Sequence, residues 1–370
     1  MPRRAMNVLT VNPGSSSTKL AVIDASDQVL AQDEPLTVDG DDTGALRRFL
    51  IAAPRIDAAA VRLVHGGTTI HSPVVVDAAV RSQLDDLASL APLHNPAAIR
   101  ALDTLAEVLA NTPLVLCVDT AFHTTIPAAA ATYAVPWAWT SRYGIRKFGF
   151  HGLSHRYASR RAAELLNRPI ETLRLVTCHL GAGASLAAIS GGESVDTTMG
   201  FTPLDGLVMA ARAGSVDPGI VTWIQRRLGL SAADIEDQLD RHSGLLGISG
   251  LSGDIREVVQ AADEGNARAQ LAIDVMLHRL VTSIGAMAAA AGGIDALVFT
   301  GGIGERSALV RGATAAKLAF LGIALGSANE ELLAPDADIS ADDASVKTLV
   351  IRAREDLELA RETRVLLAAR

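Results

Sequence analysis

The chain has few aromatic residues, and it has no excess of positive charge. Aromatic residues make up 4% of the 370 residues, so its cores must be built mainly from Ala, Val, Leu and Ile. The 33 Lys and Arg residues are outnumbered by 41 Asp and Glu residues, which gives a net charge of -8. A broad basic surface is therefore excluded, and we expect no binding to nucleic acid. A small anionic ligand remains compatible, because it requires only a local positive site.

Cysteine is also scarce, and long uninterrupted apolar runs are missing. The two cysteines, Cys117 and Cys178, lie in the apolar runs VLCVD and LVTCHL, which predicts buried free thiols in a reducing compartment. No apolar segment follows Arg3 and Arg4, so no signal peptide is expected. The apolar tract at 280–299 is interrupted by polar residues and glycines, so we expect no membrane span. Together these features predict a cytoplasmic protein.

The length and the residue pattern predict a two-domain α/β protein. A chain of 370 residues exceeds the usual size of a single core. Short β-rich runs alternate with Ala-rich helical runs, which is typical of buried sheets covered by helices. Strands are predicted at 7–12, 19–24, 60–64, 114–119, 173–180, 185–190 and 296–300. Helices are predicted at 44–52, 78–90, 95–109, 154–166, 219–228, 267–291 and 356–367.

Two distant segments share one plan. VLTVNPGSSSTKLAVID and LRLVTCHLGAGASLAAIS each contain an apolar strand, a turn of small residues and a second apolar strand. This similarity predicts a duplicated domain. A Walker A loop must open a helix and needs a glycine where Thr18 stands, so that motif is excluded. If these turns bind phosphate, they do so as hairpin turns whose N–H groups face the anion.

The first of these turns has suitable donors for an oxyanion. It offers the backbone of Gly14, the hydroxyls of Ser15, Ser16 and Ser17, and the cation of Lys19. A plain polar hairpin turn would have the same composition, and the residues alone leave that alternative open.

Four further polar residues stand in unusual positions. Arg62 lies within an apolar strand, where it predicts either an anion site or a structural ion pair. Asp119 ends a buried strand, a place for a metal or substrate ligand, and a helix N-cap is the alternative. His151 and His155 have the spacing of some zinc sites but lack the accompanying Glu, so we favour a hydrogen-bonding role for His151.

Two glycine-rich segments complete the set. TPLDGLVMAARAGSVDPG places Arg212 next to a strong turn signal. In FTGGIGERS a strand is followed by Gly301, Gly302 and Gly304, which predicts a glycine-rich loop with a bare backbone for a flat ligand. Phosphate turns, two arginines and a strand-end aspartate together indicate phosphoryl transfer, a reaction that depends on positioning and positive charge.

The motifs resemble those of the acetate kinase family, within the superfamily of sugar kinases and actin. The matching segments, in the family's order, are VNPGSSSTKL, VRLVHGG, LAPLHNPA, VDTAFHTTIP, GIRKFGFHGLSHRY, HLGAGAS, TPLDGLVM and TGGIGERS. The resemblance implies two duplicated ribonuclease-H-like (actin-like ATPase) α/β domains with the active site in the interdomain cleft. The first domain would comprise 1–124 plus 356–370. The second, 125–355, would carry the nucleotide site and the interface of a homodimer.

The resemblance also implies roles for individual residues. Arg62 and Arg212 would hold the acyl carboxylate and the transferring phosphoryl group, His151 would donate to that group, and Asp119 would arrange metal and substrate. The implied acyl site consists of Arg62, Val64, Leu93, His94, Phe150 and Pro203. The implied ATP site consists of Ser15, Ser17, Lys19, His179, Leu180, Gly181, Ala182, Gly183, Asp254, Ile255, Arg256, Gly302, Ile303, Gly304, Glu305 and Arg306. The implied ligands of Mg²⁺ or Mn²⁺ are Asn12 and Glu355.

The implied activity is a reversible, direct phosphoryl transfer between ATP and acetate that gives acetyl phosphate and ADP. A kinase for propionate or another short-chain acid is the alternative, and a non-catalytic nucleotide-binding protein on the same scaffold is the second alternative. The chain departs from the family pattern at Ala182 and Arg306, where Asn is usual, and at Ser215, where Asp is usual. We expect these three positions to change nucleotide affinity, metal geometry or acyl preference.

Overall fold

The computed structural model describes residues 6–14, 17–34, 43–88, 90–91, 94–330 and 336–370. By its internal packing the chain divides into two compact units. Unit 1 comprises Met1–Thr124, Phe150–Tyr157 and Arg354–Arg370, and unit 2 comprises Thr125–Gly149 and Ala158–Ala353. This division differs from the predicted domain bounds chiefly in 150–157, and those bounds stay a prediction.

Each unit contains a six-stranded sheet. The strands of unit 1 are β1 (Val8–Pro13), β2 (Thr18–Ile23), β3 (Val29–Asp33), β4 (Ala58–Leu63), β5 (Val74–Val75) and β6 (Leu114–Val118). The strands of unit 2 are β7 (Arg174–Leu180), β8 (Ala184–Ser190), β9 (Glu193–Thr197), β10 (Ala296–Thr300), β11 (Ala337–Asp338) and β12 (Lys347–Val350).

The two sheets have the same strand order, which confirms the predicted duplication. The first sheet runs β3-β2-β1-β4-β6-β5 and the second, read from its other edge, β9-β8-β7-β10-β12-β11. In each, an antiparallel meander of three strands continues into two parallel strands and a short antiparallel edge strand. Both small-residue turns therefore join antiparallel neighbours, as the sequence predicted.

Helices connect the strands. The α-helices are α1 (Thr43–Ala52), α2 (Ala78–Ala88), α3 (Asn95–Val108), α4 (Ala128–Ala131), α5 (Trp137–Tyr143), α6 (Gly152–Leu165), α7 (Pro218–Leu228), α8 (Ala232–Arg241), α9 (Gly244–Ser249), α10 (Ile255–Asp263), α11 (Ala267–Ala290), α12 (Gly301–Arg306), α13 (Ala308–Lys317) and α14 (Glu355–Ala368). The 3-10 helices are Asp119–Thr125, Ile170–Thr172, Ala319–Leu321 and Ser327–Asn329.

Aliphatic residues fill the core of unit 1, as the low aromatic content requires. Strands β1 and β6 are buried along their whole length. Leu9, Val61, Leu102 and Leu116 are among the side chains in this core, each at most 1% exposed. Burying one such side chain stabilises the fold by about 1.5–3 kcal/mol. Helix α14 packs on β1, β2, β4 and β6 and so belongs to the same unit.

Most predicted strands and helices form within two residues of their expected ends. The prediction of a loop for the glycine-rich segment after β10 is wrong. Residues Gly301–Arg306 form helix α12 and not an open loop. The helix forms because the Glu305 carboxylate accepts the N–H of Gly301 and the buried Arg311 guanidinium donates to carbonyls of its last turn. Cys117 and Cys178 are buried free thiols, as predicted.

Helix α11 is long and apolar enough to cross a membrane by length and composition alone. Its mean hydropathy is 1.4 over the most apolar window, of which 44% is buried within the protein. Ala272, Leu277 and Ile284 are among its buried residues, and the helix packs on β7, β8, α9, α10 and α13. A core helix passes the same test, so this single candidate is weak evidence for a span.

Candidate active site

A buried ion pair stands at the carboxyl ends of β4 and β6. Arg62 is the penultimate residue of β4, and Asp119 follows the last residue of β6. Nε of Arg62 donates to Oδ1 of Asp119 at 3.0 Å, and Nη2 donates to Oδ2 at 2.6 Å. The Arg62 side chain is 11% exposed and that of Asp119 is fully buried. The structural ion pair expected as one alternative for Arg62 is therefore present.

Asn12 and Glu355 extend this pair. Nη1 of Arg62 donates to Oδ1 of Asn12 at 2.9 Å, and Nδ2 of Asn12 donates to Oε2 of Glu355 at 2.5 Å. Glu355, the first residue of α14, lies 4.0 Å from Nη1 of Arg62. The parallel pairing of β1, β4 and β6 brings Asn12, Arg62 and Asp119 together at one sheet edge, where open α/β sheets bind ligands. The packing of α14 on β1 adds Glu355. We call these four residues the Arg62 cluster.

Burial and charge shape the protonation of the Arg62 cluster. Burial raises the pKa of the Asp119 carboxyl, while the Coulombic attraction and hydrogen bonds of Arg62 act to lower it. Burial also acts to lower the pKa of Arg62, but the carboxylates of Asp119 and Glu355 outweigh that effect and raise it above its ordinary value. The guanidinium is therefore a permanent cation in a fixed position.

The Arg62 cluster fits a hard divalent cation. Asp119, Glu355 and Asn12 supply carboxylate and amide oxygens, the ligands that Mg²⁺ prefers. Two carboxylates and one guanidinium leave one net negative charge, which a divalent cation would more than neutralise. Among the described residues no group of three His, Cys, Asp or Glu side chains forms a complete metal cage. A site with few protein ligands is typical of Mg²⁺, which keeps several waters and binds substrate phosphates.

His151 lies directly next to the Arg62 cluster. Its backbone N–H donates to Oδ2 of Asp119 at 3.3 Å, and its φ of 55° places it in the left-handed region. It precedes α6, as the sequence predicted, and the N–H of His155 donates to its carbonyl at 2.9 Å. The zinc alternative gains no support, since the described residues contain no three-residue metal cluster.

The residues expected to form the acyl site are divided between the two units. Val64 and Phe150, in unit 1, are 7% and 1% exposed. The Phe150 ring packs edge-on against buried His65, with 5.2 Å between the ring centroids. His94 precedes α3 in unit 1, and Pro203 lies in unit 2. Leu93 lies outside the described residues.

The β1–β2 turn is tightly closed. The N–H of Gly14 donates to the carbonyl of Ser17 at 2.8 Å, and the Ser17 hydroxyl donates to Glu34 at 2.9 Å. Lys19 pairs in register with Asn12, and its side chain is exposed. The turn therefore presents Lys19 at the same sheet edge as the Arg62 cluster. Ser15 and Ser16, also expected in this turn, lie outside the described residues.

The second turn, in unit 2, includes residues 180–183. The N–H of Gly181 donates to the carbonyl of Gly183 at 2.9 Å, and the carbonyl of Ala182 accepts from Ala210 at 3.2 Å. His179 pairs with Thr300 in the parallel register of β7 and β10, so this turn and α12 lie side by side. A Cβ on Gly301 would lie 2.8 Å from the Leu180 carbonyl oxygen, and its φ is 78°, so both space and backbone conformation require glycine there.

Some of the α12 residues predicted to bind the nucleotide are exposed, and others are buried or bonded to backbone within the protein. Gly302 and Arg306 are exposed and Ile303 is half-buried, whereas Gly304 is buried. Oε1 of Glu305 accepts the N–H of Gly301 at 3.0 Å and the N–H of Ala353 at 2.9 Å. The Glu305 carboxylate therefore fixes backbone around the helix. An apolar cavity adjoins the helix and the second turn, lined in part by Leu180, Gly181, Met276 and Ile303.

Arg212 and Asp254 have different environments within unit 2. Arg212 is 17% exposed, its Nε lies 3.8 Å from Oδ1 of Asp240, and its Nη1 lies 3.5 Å from the carbonyl oxygen of Pro203. Burial lowers the pKa of Arg212, and the Asp240 charge opposes that shift.

Asp254 precedes α10, next to Ile255, and caps that helix by accepting the N–H of Arg256 at 2.9 Å. Hydrogen bonds from Arg256 lower the pKa of Asp254 to about 2.

Sequence reasoning missed three buried polar residues that hold these sites. His123 contacts the carbonyl of Phe150, Arg311 contacts the carbonyls of α12, and Asn95 bonds the backbone of His65. All three side chains are at most 1% exposed. A polar residue within an apolar pattern was the available signal, since buried polar groups are nearly always hydrogen-bonded.

The duplicated sheets and the charged sheet edge define a two-unit α/β protein with a preformed cationic site, and comparison with known proteins identifies the family. Residues 48–361 match the sequence model of the acetokinase family. An acetate kinase of Synechococcus sp. is 50% identical over 312 residues, which cover 84% of this chain and 77% of that protein. The chain therefore belongs to the acetokinase family.

Solved structures agree with this assignment. The crystal structure of Porphyromonas gingivalis acetate kinase is 36% identical, with a TM-score of 0.90 over 98% of this chain and 100% of that chain. A propionate kinase from Francisella tularensis is also 36% identical, with a TM-score of 0.88 over 96% of this chain and 98% of that one. The predicted fold of two duplicated actin-like domains is thereby confirmed.

Proposed function

We propose that this protein is an ATP- and Mg²⁺-dependent acetate kinase that interconverts acetate plus ATP and acetyl phosphate plus ADP. The observation that carries the proposal is the Arg62 cluster, a fixed cation and two carboxylates at one sheet edge, in a chain of the acetokinase family. A non-catalytic nucleotide-binding protein has no need of a buried arginine prepared for a small acid.

The chemistry of acetate explains why the site needs cations and no general base. A carboxylate is already ionised at neutral pH, so it attacks phosphorus without losing a proton. The attacking oxygen forms a bond to the γ-phosphorus while the bond from phosphorus to the ADP oxygen breaks. Both reactants are anions, so their approach requires compensating positive charge. Asp119 accordingly positions Arg62 and takes no proton.

Arg62 has donors for the acetate carboxylate. A guanidinium carries five N–H donors. Among the described residues, Asp119 and Asn12 accept from three of the five donors of Arg62. We assign the remaining two to a carboxylate oxygen of acetate. Arg212 and the His151 side chain donate to the transferring phosphoryl group. Arg212 is 17% exposed, and its guanidinium supplies the positive charge that this role requires.

Nucleotide binding is assigned to the two turns and to α12. Lys19 and the backbone of 180–183 face phosphates, and Asp254, Arg256 and 302–306 hold adenosine. Asn12 and Glu355, with Asp119, would hold Mg²⁺ directly or through water, since their oxygens suit this ion. When bound, Mg²⁺ neutralises phosphate charge and orients the γ-phosphoryl group.

Trapping the acyl phosphate tests this activity. Purified protein, ATP and Mg²⁺ are incubated with acetate, propionate or butyrate, and hydroxylamine converts any acyl phosphate to a hydroxamate. We expect hydroxamate with acetate and none without ATP. Arg212→Ala should abolish the signal while leaving the unfolding midpoint close to that of the wild type. No hydroxamate with any acid, despite bound ATP, would exclude the proposed activity.

Propionate is the alternative substrate, because a propionate kinase is as similar in sequence as an acetate kinase among the solved structures. The residues proposed to contact the methyl group, Val64 and Phe150, are apolar. One additional methylene in such a pocket changes specificity by only about 1–3 kcal/mol. The ratio of kcat/KM values for the two acids decides between them, and a higher value for propionate would make acetate the secondary substrate.

Direct in-line transfer is a further part of the proposal. One displacement at phosphorus inverts its configuration, whereas a phosphorylated enzyme intermediate would give retention through two displacements. A chiral γ-thiophosphate donor distinguishes the two routes. We expect inversion, and net retention would require a phosphorylated side chain.

We also propose that the protein is a homodimer. Trp137 and Tyr143 on α5 and Trp223 and Leu228 on α7 are 58–70% exposed, which is unusual for such large apolar side chains. Light scattering should give twice the 38.5 kDa mass of the chain. A mass of one chain at micromolar concentration would refute the dimer.

A further inference from the structure

One peptide group next to the Arg62 cluster is held at both of its polar ends. The Phe150 carbonyl and the His151 N–H belong to the same planar peptide unit. Nε2 of His123 lies 3.0 Å from the Phe150 carbonyl oxygen, and Oδ2 of Asp119 lies 3.3 Å from the His151 nitrogen. Asp119 and His123 both come from the 3-10 helix Asp119–Thr125, so one rigid turn fixes the orientation of this peptide plane.

The chemistry of the contact defines the state of the imidazole. A carbonyl oxygen can only accept a hydrogen bond, so Nε2 of His123 carries a hydrogen and donates it. His123 is 1% exposed, and water cannot readily replace this donor. An unsatisfied buried carbonyl would be costly, so loss of the donor favours rotation of the peptide.

His151 needs this restraint because its backbone conformation is unfavourable. With a φ of 55° it occupies the left-handed region, which residues other than glycine adopt at a cost of roughly 1 kcal/mol. The adjacent Gly152 is packed so closely that a Cβ there would lie 1.9 Å from the Asp119 carbonyl oxygen. The segment is therefore pressed against the Asp119 turn, and the two hydrogen bonds keep the His151 backbone in place.

We propose that His123 is a positioning residue for phosphoryl transfer: it holds the Phe150–His151 peptide so that His151 is presented in its catalytic orientation. This inference rests on the proposed function, in which the His151 side chain donates to the transferring phosphoryl group. His123 itself touches neither substrate. It acts on His151 by fixing the Phe150–His151 peptide. Asp119 accepts from the same peptide and from Arg62, so the peptide is also linked to Arg62.

Substitution of His123 separates positioning from packing. His123→Phe and His123→Met remove the donor with side chains of different shape, and His123→Gln retains an N–H donor near the position of Nε2. We expect the two apolar variants to lower kcat for ATP formation by on the order of tenfold or more, because small misplacements of catalytic groups are costly. The KM for ADP should remain within about twofold, and His123→Gln should recover most of kcat.

A double-mutant cycle with His151→Ala gives the decisive readout. If His123 acts through His151, then His123→Met should lower kcat in the wild-type background and change it little in the His151→Ala background. Thermal unfolding of each variant identifies any loss of folded protein. Equal losses in both backgrounds, or an unchanged kcat in both apolar variants, would overturn the proposal.

The wild-type measurement distinguishes this inference from the proposed function. If wild-type protein makes no ATP from acetyl phosphate and ADP, the proposed kinase activity fails, and with it the inference. If the wild type is active and the cycle is additive, the kinase stands and His123 has a structural role only.

Discussion

Arg62 and Asp119 form a two-point ion pair in which Nε and Nη2 of the guanidinium donate to the two carboxylate oxygens at 3.0 and 2.6 Å. A bidentate geometry fixes the plane of the guanidinium as well as its position. The arginine thus has a single orientation before any ligand arrives. Such preorganisation reduces the entropic cost of binding a small anion.

Asp119→Asn should be destabilising as well as inactivating. The amide cannot accept from both donors, so a buried guanidinium loses its partner, and we expect a loss of about 3 kcal/mol in the free energy of unfolding. The kcat for acyl phosphate formation should fall by on the order of a hundredfold, because Arg62 is no longer held for acetate. Urea unfolding and the hydroxamate assay measure the two effects.

A second pair in unit 1 provides a matched control. Arg81 and Asp103 have the same bidentate geometry, at 2.7 and 2.9 Å, but their side chains are 34% and 51% exposed. Asp103→Asn should therefore cost less than about 1 kcal/mol and leave kcat unchanged. Similar losses in the two variants would show that burial of the Arg62 pair has no special consequence.

Arg311→Met should weaken nucleotide binding indirectly, through its effect on α12. Arg311 is 1% exposed, and its Nη1 donates to the carbonyls of Gly304 and Glu305 at 2.9 Å each. Without it, the buried Gly304 carbonyl and the partly buried Glu305 carbonyl at the end of α12 lose a donor, and an unsatisfied buried carbonyl costs about 1–3 kcal/mol. We expect a lower unfolding midpoint, and calorimetry should show a Kd for ADP at least fivefold higher, because α12 is no longer held in one position.

Lys317→Met is the control for Arg311→Met. Lys317 lies on the same helix, α13, and is exposed, so its replacement removes an equal charge without disturbing α12. Stability and ADP affinity should both stay close to wild type. If Arg311→Met also leaves ADP affinity intact, α12 has no role in nucleotide binding.

The stability contributed by Asp27 should depend on pH. Asp27 accepts from Arg361 at 2.9 Å and from Arg364 at 2.8 Å, which fastens α14 to the β2–β3 turn. Burial alone would raise the pKa of Asp27, but the two guanidinium groups outweigh it and hold the pKa below its ordinary value. A lowered pKa in the folded state means that the stabilisation is complete above the unfolded pKa of about 3.9 and disappears as the pH falls through the folded pKa.

Asp27→Asn tests this dependence, because Asn tolerates the left-handed φ of 62° at this position. The variant should be less stable than the wild type by about 1 kcal/mol at neutral pH, as for a partly exposed ion pair. The difference in urea midpoint should shrink towards zero in acid, below the folded pKa. A constant difference across the titration would mean that the charge of Asp27 does not stabilise α14.

Restoring the family's usual amide at Ala182 should strengthen nucleotide binding. Ala182 is exposed in the second turn, where Ala182→Asn adds a hydrogen-bond donor at the proposed phosphate site. A bond to a charged group contributes about 1.5–3 kcal/mol, and exposure reduces that figure, so we expect roughly a tenfold lower Kd for ADP. Ala182→Leu, which adds bulk without a donor, should give no gain. An unchanged Kd for Ala182→Asn would place the phosphates elsewhere.

The sequence predicted the fold well where periodicity was strong. The paired segments around Asn12–Lys19 and His179–Ser185 were correctly expected to form hairpins, because small-residue turns between apolar strands have few alternatives. Strand β3 was missed because its residues are mostly exposed, so that no apolar run marks it. The sequence predicts a loop where helix α12 forms, because Gly is a poor helix former and the Glu305 and Arg311 contacts that favour the helix come from tertiary structure.

The members of the Arg62 cluster could be named from the sequence, but their geometry could not. Glu355 is 343 residues from Asn12, and only the folding of α14 onto β1 brings their side chains to 2.5 Å. The sequence predicted no role for His123. Its contact with the Phe150 carbonyl depends on a positive φ at a non-glycine residue, and the residue pattern gives no signal for that conformation.

The most direct measurement is ATP formation from acetyl phosphate, ADP and Mg²⁺, compared for wild-type protein, Arg62→Lys and Arg62→Ala. We predict rapid ATP formation by the wild type. Arg62→Lys should lose on the order of a hundredfold in kcat/KM for acetyl phosphate, because a lysine cannot form the two-point pair with Asp119, and Arg62→Ala should lose more. Wild-type protein that binds ADP but forms no ATP, or an Arg62→Ala variant that is fully active, would contradict the account.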